Sequence, residues 1–340
     1  MHIPDGYLSP QTTIPALVVM AGIWYLAFRK IKINQNPHLI PSLALCAAFS
    51  FVIMMFNVPV VGGSSAHAVG AVLVAILVGP WAAIIAISTT LIIQAVVFGD
   101  GGIMAIGINC LNMAVIMPLV GYALYRLISA NAVLGSKRNL VAVFIASTVG
   151  LICAALAAAI EMGVQPIFFT DTHGLPLYGF YSLAVTIPAM LISHLIAGPI
   201  DGIISMLAVA YVVKFAPQLI VRTANTHTEL NQEKAQVKIN YKAIVIVLIV
   251  AVILSPLGLL ASGTAFGEWG TDEVKQIIGF IPRGMAQAAD KWHALFPDYS
   301  IPHFGETPLA LSVGYIASAI VGMVIISTLI LLSARLTKRK

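Results

Sequence analysis

Charge is what this chain has least of. Asp, Glu, Lys and Arg make up only 9% of its 340 residues, against about a quarter in soluble globular domains. So few charges cannot keep a folded surface in water, and a mean hydropathy of +0.97 excludes a soluble domain on the same grounds. Cysteine is scarce too. Cys46, Cys110 and Cys153 all lie within apolar stretches, with neither a spaced disulfide framework nor a CxxC metal pair. They read as small lipid- or helix-facing residues. The phosphate-binding pattern GxxxxGK[ST] is absent, so the chain is not expected to hydrolyse ATP, and the absence of HExxH argues against a membrane zinc protease. The short alternating segments of a β-barrel are missing as well.

What remains is apolar sequence in runs of roughly twenty residues, the length of one membrane crossing. The expected fold class is an all-α polytopic membrane protein. Helices are predicted near 12–28, 39–57, 67–79, 80–98, 103–128, 139–160, 178–214, 241–260 and 308–334. The third and fourth meet at Gly79-Pro80, where proline suits a helix start and not an interior. The seventh is too long for one straight crossing and is expected to kink at Pro188 or Pro199, or to run on past the membrane.

The basic residues give a direction. With the amino terminus outside and nine crossings, fifteen of the 18 Lys and Arg residues face the cytoplasm, including Arg29, Lys30, Lys32, Arg126, Lys137, Arg138, Lys214, Arg222 and the terminal Lys338-Arg339-Lys340. Lys275, Arg283 and Lys291 fall outside. This asymmetry accounts for the net charge of +5 without a nucleic-acid partner. The chain is placed in a prokaryotic cytoplasmic membrane, amino terminus extracytoplasmic and carboxyl terminus cytoplasmic. Residues 215–240 form the one long polar cytoplasmic stretch, a linker between a seven-helix unit (1–214) and a two-helix unit (241–340). The outer loop of the second unit, 261–307, carries His293 and His303, which read as surface histidines.

The opening "MHIPDGYLSP" carries chemistry. No basic residue precedes the first span and no small-residue cleavage site follows a short apolar core, so it does not read as a signal peptide. Because His2 is bulky, Met1 is expected to stay with a free α-amine. That amine and the His2 amide close a five-membered ring on a metal; the His2 amide and imidazole Nδ1 close a six-membered one. Three coplanar nitrogens suit Ni(II) or Cu(II), and binding proceeds with proton loss. An ionised amide also lowers the site's charge, which matters where the dielectric is low. Proline keeps Ile3 extended, and Pro4-Asp5-Gly6 favours a reversal that aims the first residues back into the bundle.

A fourth nitrogen is expected from His67 in "NVPVVGGSSAHAVGAV", at the outer start of a short helix that Ser64 or Ser65 would cap. The helix dipole would keep its imidazole neutral. Gln94, Asp100, Asn109 and Asn112, around the outer "FGDGG" turn, either hold the metal loop in place from behind the ligands, together with Ser65, or satisfy helix ends and one another. Glu161 and Asp171 read as solvated charges near the outer surface. His194 and Asp201, seven residues apart, share a helix face and suggest helix–helix hydrogen bonding or coupling contacts. Ala154, Ala155 and Ala158 suggest close helix packing.

"MHIPDGYLSP", "GGSSAHAVGAVLVAILVGPWAAIIA" and "LIIQAVVFGDGGIMAIGINCLNM" resemble the nickel/cobalt substrate-capture (S) components of energy-coupling factor transporters, the CbiM/NikM family. The likeness covers residues 1–214. Residues 241–340, with "SPLGLLASGTAFGEWG", are similar to the CbiN/NikN accessory subunit or its PDGLE-type relative. The resemblance implies a metal site at Met1, His2 and His67, with Ni2+ as transported substrate and Co2+ the alternative, since nickel members tend to open MHIPDG. It also implies a transmembrane coupling (T) subunit and ATPase subunits as partners within the lipid. The chain is then a transporter component and not an enzyme. An ion-gradient-driven permease is the rival, although no inverted repeat is evident.

Overall fold

The computed structural model describes residues 1–31, 39–220, 241–261, 263–289, 291–305 and 307–337. The linker expected at 215–240 therefore lies almost wholly outside the described residues, as do Lys32, Arg222, Lys234, Lys238 and the last three basic residues.

Helix α1 (Pro10–Lys30) starts on Pro10 behind Ser9 and ends in Arg29-Lys30. Proline costs nothing in a first turn, and cations suit the negative end of a helix. Next come α2 (Leu39–Met54), a hairpin of β1 (Asn57–Val60) and β2 (Ser64–His67), and α3 (Ala71–Val78). Helix α4 (Pro80–Ile93) follows directly and widens into a π-helical stretch at Gln94–Phe98. After a loop at 99–105, α5 (Ile106–Cys110) passes through a second π stretch, Leu111–Ile116, into α6 (Met117–Ser129). The two π stretches flank the loop that carries Asp100, a placing common at functional sites. Helices α7 (Lys137–Gly163), the single turn α8 (Gln165–Phe168) and α9 (Leu183–Phe215) complete the first unit. The second comprises α10 (Tyr241–Leu254), α11 (Thr271–Ile278), α12 (Arg283–Ala289) and α13 (Pro308–Thr337).

Among the described residues, six helical segments are long and apolar enough to cross a membrane, and Leu39–Met54 and Ile244–Leu260 are shorter apolar ones. The protein is a polytopic all-α membrane protein. Two expectations need correction. Residues 64–67 are not the start of a helix but a strand, and α3 begins only at Ala71, behind Gly70 in the left-handed conformation. With eight residues α3 reaches about 12 Å, and neither Ser64 nor Ser65 caps it. The long seventh helix starts at Leu183, not near 178, and runs 33 residues as one helix with Pro188 and Pro199 inside it, about 50 Å at 1.5 Å per residue.

Small residues decide the packing. Helix α7 lies along α9, where Gly198 and Gly202 sit directly against Thr148 and Phe144; a methyl group at Gly202 would collide with the Phe144 carbonyl oxygen. Ala154, Ala155 and Ala158 are fully buried in this region. The second unit docks on the first through α13 against α2, with Gly322 under the Phe51 ring. The stretch between α10 and α13 is not bare coil: α11 and α12 lie in it, and Tyr299 stacks on Phe98 at 5.1 Å and meets Phe51 at 6.1 Å. His293 and His303 are exposed.

Candidate metal centre

The first nine residues are stitched to the bundle by their main chain. The Ile3 N–H donates to Asn109 Oδ1 at 2.9 Å, and Asn109 Nδ2 returns a bond to the Ile3 carbonyl at 3.1 Å. That carbonyl also accepts from the Gly102 amide at 2.9 Å. The Asp5 carboxylate takes the amides of Ile103 (3.0 Å) and Met104 (2.8 Å). The chain then turns at Gly6, whose φ of +86° and closeness to the Met285 main chain leave no room for a side chain. Further on, Tyr7 accepts from the Gly179 amide, and Ser9 donates to Gln165. The outcome is unusual for a chain end: Met1 and His2 are 5% and 2% exposed.

His67 arrives from the other side. The β1–β2 hairpin places it opposite Asn57, and Gly62 and Gly63 turn the strands with φ of +86° and +73°. Beyond the strand, Asp201 of α9 accepts the amides of Val69 (2.8 Å) and Gly70 (2.7 Å). Asp201 thus supplies the acceptor for the two amides just ahead of α3, bonding a turn where the sequence suggested helix–helix hydrogen bonding or coupling contacts. His194, on the same helix, bonds back to the Met190 carbonyl at 2.8 Å. His67 Nδ1 faces the Ala68 carbonyl at 3.1 Å. A carbonyl only accepts, so Nδ1 carries the proton and Nε2 presents a lone pair. That Nε2 is buried without a hydrogen-bond partner, as is Nε2 of His2. The two rings stack with centroids 5.0 Å apart. Burial first, then the positive amino terminus and His2, push the His67 pKa down to about 4. The ring is neutral, but burial and neighbouring charge keep it so rather than the helix dipole expected from sequence.

Two carboxylates close the site. Asp100 accepts from His2 Nδ1, and its other oxygen accepts from the Tyr299 hydroxyl and, at 3.5 Å, from Gln94. Gln94 also donates to the Tyr299 oxygen at 2.9 Å. Burial pushes the Asp100 carboxyl up, but His2, with His67 and the Tyr299 hydroxyl, outweighs it and holds the group below the usual carboxylate range. Burial, then Asp100, raise the Tyr299 phenol well above its ordinary value, so it stays a donor. Glu268, from the second unit, accepts from the Met1 amine through Oε1, and the same oxygen accepts the His2 main-chain N–H at 2.9 Å.

The residues singled out from sequence thus divide. Met1, His2 and His67 come together, and Asp100 and Asn109 touch the first three residues directly. Gln94 acts one step out, through Asp100. Ser65 lies in β2 opposite Pro59. Asn112 turns away to Glu161 at 2.6 Å. Glu161 is accordingly not a solvated charge but a half-buried acceptor in α7, while Asp171 orders a turn by accepting from His173 and Leu175. Sequence reasoning missed Glu268 and Tyr299. The signal for Glu268 was a lone carboxylate inside the aromatic stretch AFGEWG. Among the described residues no group of three or more His, Cys, Asp or Glu forms a metal cluster.

Comparison with known proteins agrees with this architecture. Residues 2–219 match the family model described as cobalt uptake substrate-specific transmembrane region (CbiM), and residues 241–339 match the PDGLE domain. The chain is 43% identical to the fused nickel transport protein NikMN of Rhodobacter capsulatus, over 99% of its own length and 98% of that protein's. It is also 43% identical to the probable fused nickel transport protein LarMN of Lactiplantibacillus plantarum, over 97% and 96%. A crystal structure of a truncated transition metal transporter superposes with a TM-score of 0.59 at 46% identity, covering 63% of this chain and 99% of that one. With a family model matched over most of its first 219 residues, a second matched over 241–339, and relatives similar along nearly its whole length, the chain belongs to the CbiM family, in the form fused to a PDGLE domain.

Proposed function

We propose that this protein captures Ni(II) at the extracytoplasmic face and passes it inward as the substrate-specific component of an ATP-driven uptake system. The donors are the Met1 amine, the His2 amide and imidazole Nδ1, and His67 Nε2. The observation that carries this reading is the buried, unpartnered Nε2 of His67 stacked against the ring of a buried second residue. A lone pair kept dry with no donor to meet is costly unless something binds it. In this structure His2 Nδ1 rests on Asp100, so capture exchanges that bond for one to the ion, and Asp100 remains as the negative neighbour of a cationic site.

The orientation rests on the basic-residue asymmetry, with the amino terminus outside. The relatives named as nickel transport proteins, and the MHIPDG opening, favour nickel over cobalt. A coupling subunit and ATPase subunits supply the energy. Uptake measured with and without the ATPase separates this reading from an ion-gradient permease, which would work alone. The chelate itself is tested by adding Gly-Ser ahead of Met1 while keeping every native side chain. A single added residue is unsuitable, because it makes His2 the third residue, where the amine, two amides and the imidazole form a four-nitrogen plane without His67. The two-residue extension is expected to abolish nickel binding, as is His67→Ala. Undiminished binding to the extended protein refutes the chelate.

A further inference from the structure

Glu268 holds the nitrogens that the proposed chelate needs, and the inference that follows rests on that chelate. One oxygen, Oε1, accepts from both the Met1 amine and the His2 main-chain N–H. These are the neighbouring donors of the five-membered ring, so an oxygen bonded to both lies on the side where they converge on an ion. The oxygen and a metal cannot occupy that position together. Glu268 is also no stray surface carboxylate, for the segment around it is built into the site. Phe266 stacks on Tyr181 at 5.8 Å and Trp269 packs against Phe266 at 5.0 Å. The Trp269 carbonyl accepts from the Tyr7 hydroxyl at 2.9 Å, and the Thr264 carbonyl accepts from Ser64, in the hairpin that carries His67, at 3.1 Å. The carboxylate and its supports therefore span both halves of the site.

We propose that Glu268 is a placeholder for the cargo ion: in the empty protein its carboxylate occupies the amine and amide donors, and an arriving ion must displace it, loosening the 264–269 segment from the mouth of the site. The arrangement has two physical consequences. The empty chelator is held in shape with its ammonium neutralised and its amide satisfied, where burial alone would leave both unpaired. The ion, in turn, binds against a competitor inside the same molecule, which lowers net affinity and offers the emptied donors a partner when the ion leaves. A carboxylate on the second unit thereby makes that unit's position depend on whether the site is filled.

The test uses the full-length protein in detergent and Ni2+ alone as probe. Dissociation constants are measured by competition with a chromophoric chelator for the wild type, Glu268→Gln and Glu268→Ala. Removing the competitor is expected to tighten nickel binding about tenfold in Glu268→Ala, equivalent to about 1.4 kcal/mol. The amide variant, which keeps an acceptor oxygen but not the charge, is expected to fall between. In parallel, Ala265→Cys, buried beside Glu268, is labelled with a membrane-impermeant maleimide. Nickel is expected to speed labelling when Glu268 is present and to leave it unchanged in Glu268→Ala, where no carboxylate needs displacing. Equal or weaker nickel binding in both variants, or labelling indifferent to nickel in the wild-type background, overturns the proposal. Should that happen while the Gly-Ser extension still abolishes binding, only the placeholder fails. If binding survives the extension, the chelate beneath it fails.

Discussion

Asn109→Ala offers a quantitative test of how the first residues are held. The Asn109 side chain clamps Ile3 from both sides, accepting its N–H and donating to its carbonyl. Both residues are nearly sealed, at 3% and 1% exposure. Truncation leaves the Ile3 N–H with no acceptor, whereas the carbonyl keeps the Gly102 amide. A buried unsatisfied donor costs about 1–3 kcal/mol, and the carbonyl's loss is smaller. The chain end can escape that cost by peeling away from the bundle, so the cost appears as weaker metal binding more than as global unfolding. A loss of about 2 kcal/mol in positioning corresponds to roughly 30-fold in affinity, within the range of about 10–100-fold typical of residues that orient metal ligands. Nickel titration of purified protein reads the affinity, and a thermal melt reads the fold. Asn109→Asp serves as a second variant, since it keeps an acceptor for the N–H but sets a carboxylate oxygen against the Ile3 carbonyl. It too is expected to weaken binding. Wild-type affinity in both variants would refute the idea that this clamp sets the position of His2.

Two further substitutions probe the same frame from other directions. In Gly102→Ala, the added Cβ would lie 2.4 Å from Asp5 Oδ1 and 2.5 Å from the Asp5 nitrogen, so the amino-terminal segment must shift; nickel affinity is expected to fall at least tenfold, about 1.4 kcal/mol, while helix content by circular dichroism stays unchanged. In Asp201→Ala, the amides of Val69 and Gly70 lose their acceptor 2.8 Å and 2.7 Å away, at about 1–3 kcal/mol each if they stay unpaired. Faster amide exchange at 68–70, a lower melting temperature and weaker nickel binding through His67 are expected, and unchanged exchange there would show that the hairpin is held by something else.

Much of the body of this protein was legible because membrane crossing is a local requirement. A stretch of apolar residues must satisfy its own main chain as a helix wherever it lies, so the predicted segments near 80–98, 139–160 and 308–334 fall on described helices, and Gly79-Pro80 separates α3 from α4 as read. The hairpin at 57–67 was missed for the same reason in reverse. Its Gly-Gly-Ser-Ser turn read as a loop capping a helix that begins at His67, and only Asp201, well over a hundred positions away, supplies the acceptor for the amides just ahead of α3 at Ala71. Composition and short-range pattern contain no term for such a partner.

By itself the amino-acid sequence determined that this chain lives in a membrane, that it spans it with helices, and that the His2 imidazole follows its own main-chain amide directly after Met1. Those are properties of composition and of bonded neighbours, and no fold can remove them. Tertiary structure alone decided that the chain end is buried, that His67 shows it a bare Nε2, and that Asp100, Tyr299 and Glu268 surround it. The reason is that a buried polar atom takes whichever partner packing brings within about 3 Å, and here the partners of Met1 and Asp100 come from a second unit some 200 or more residues along the chain.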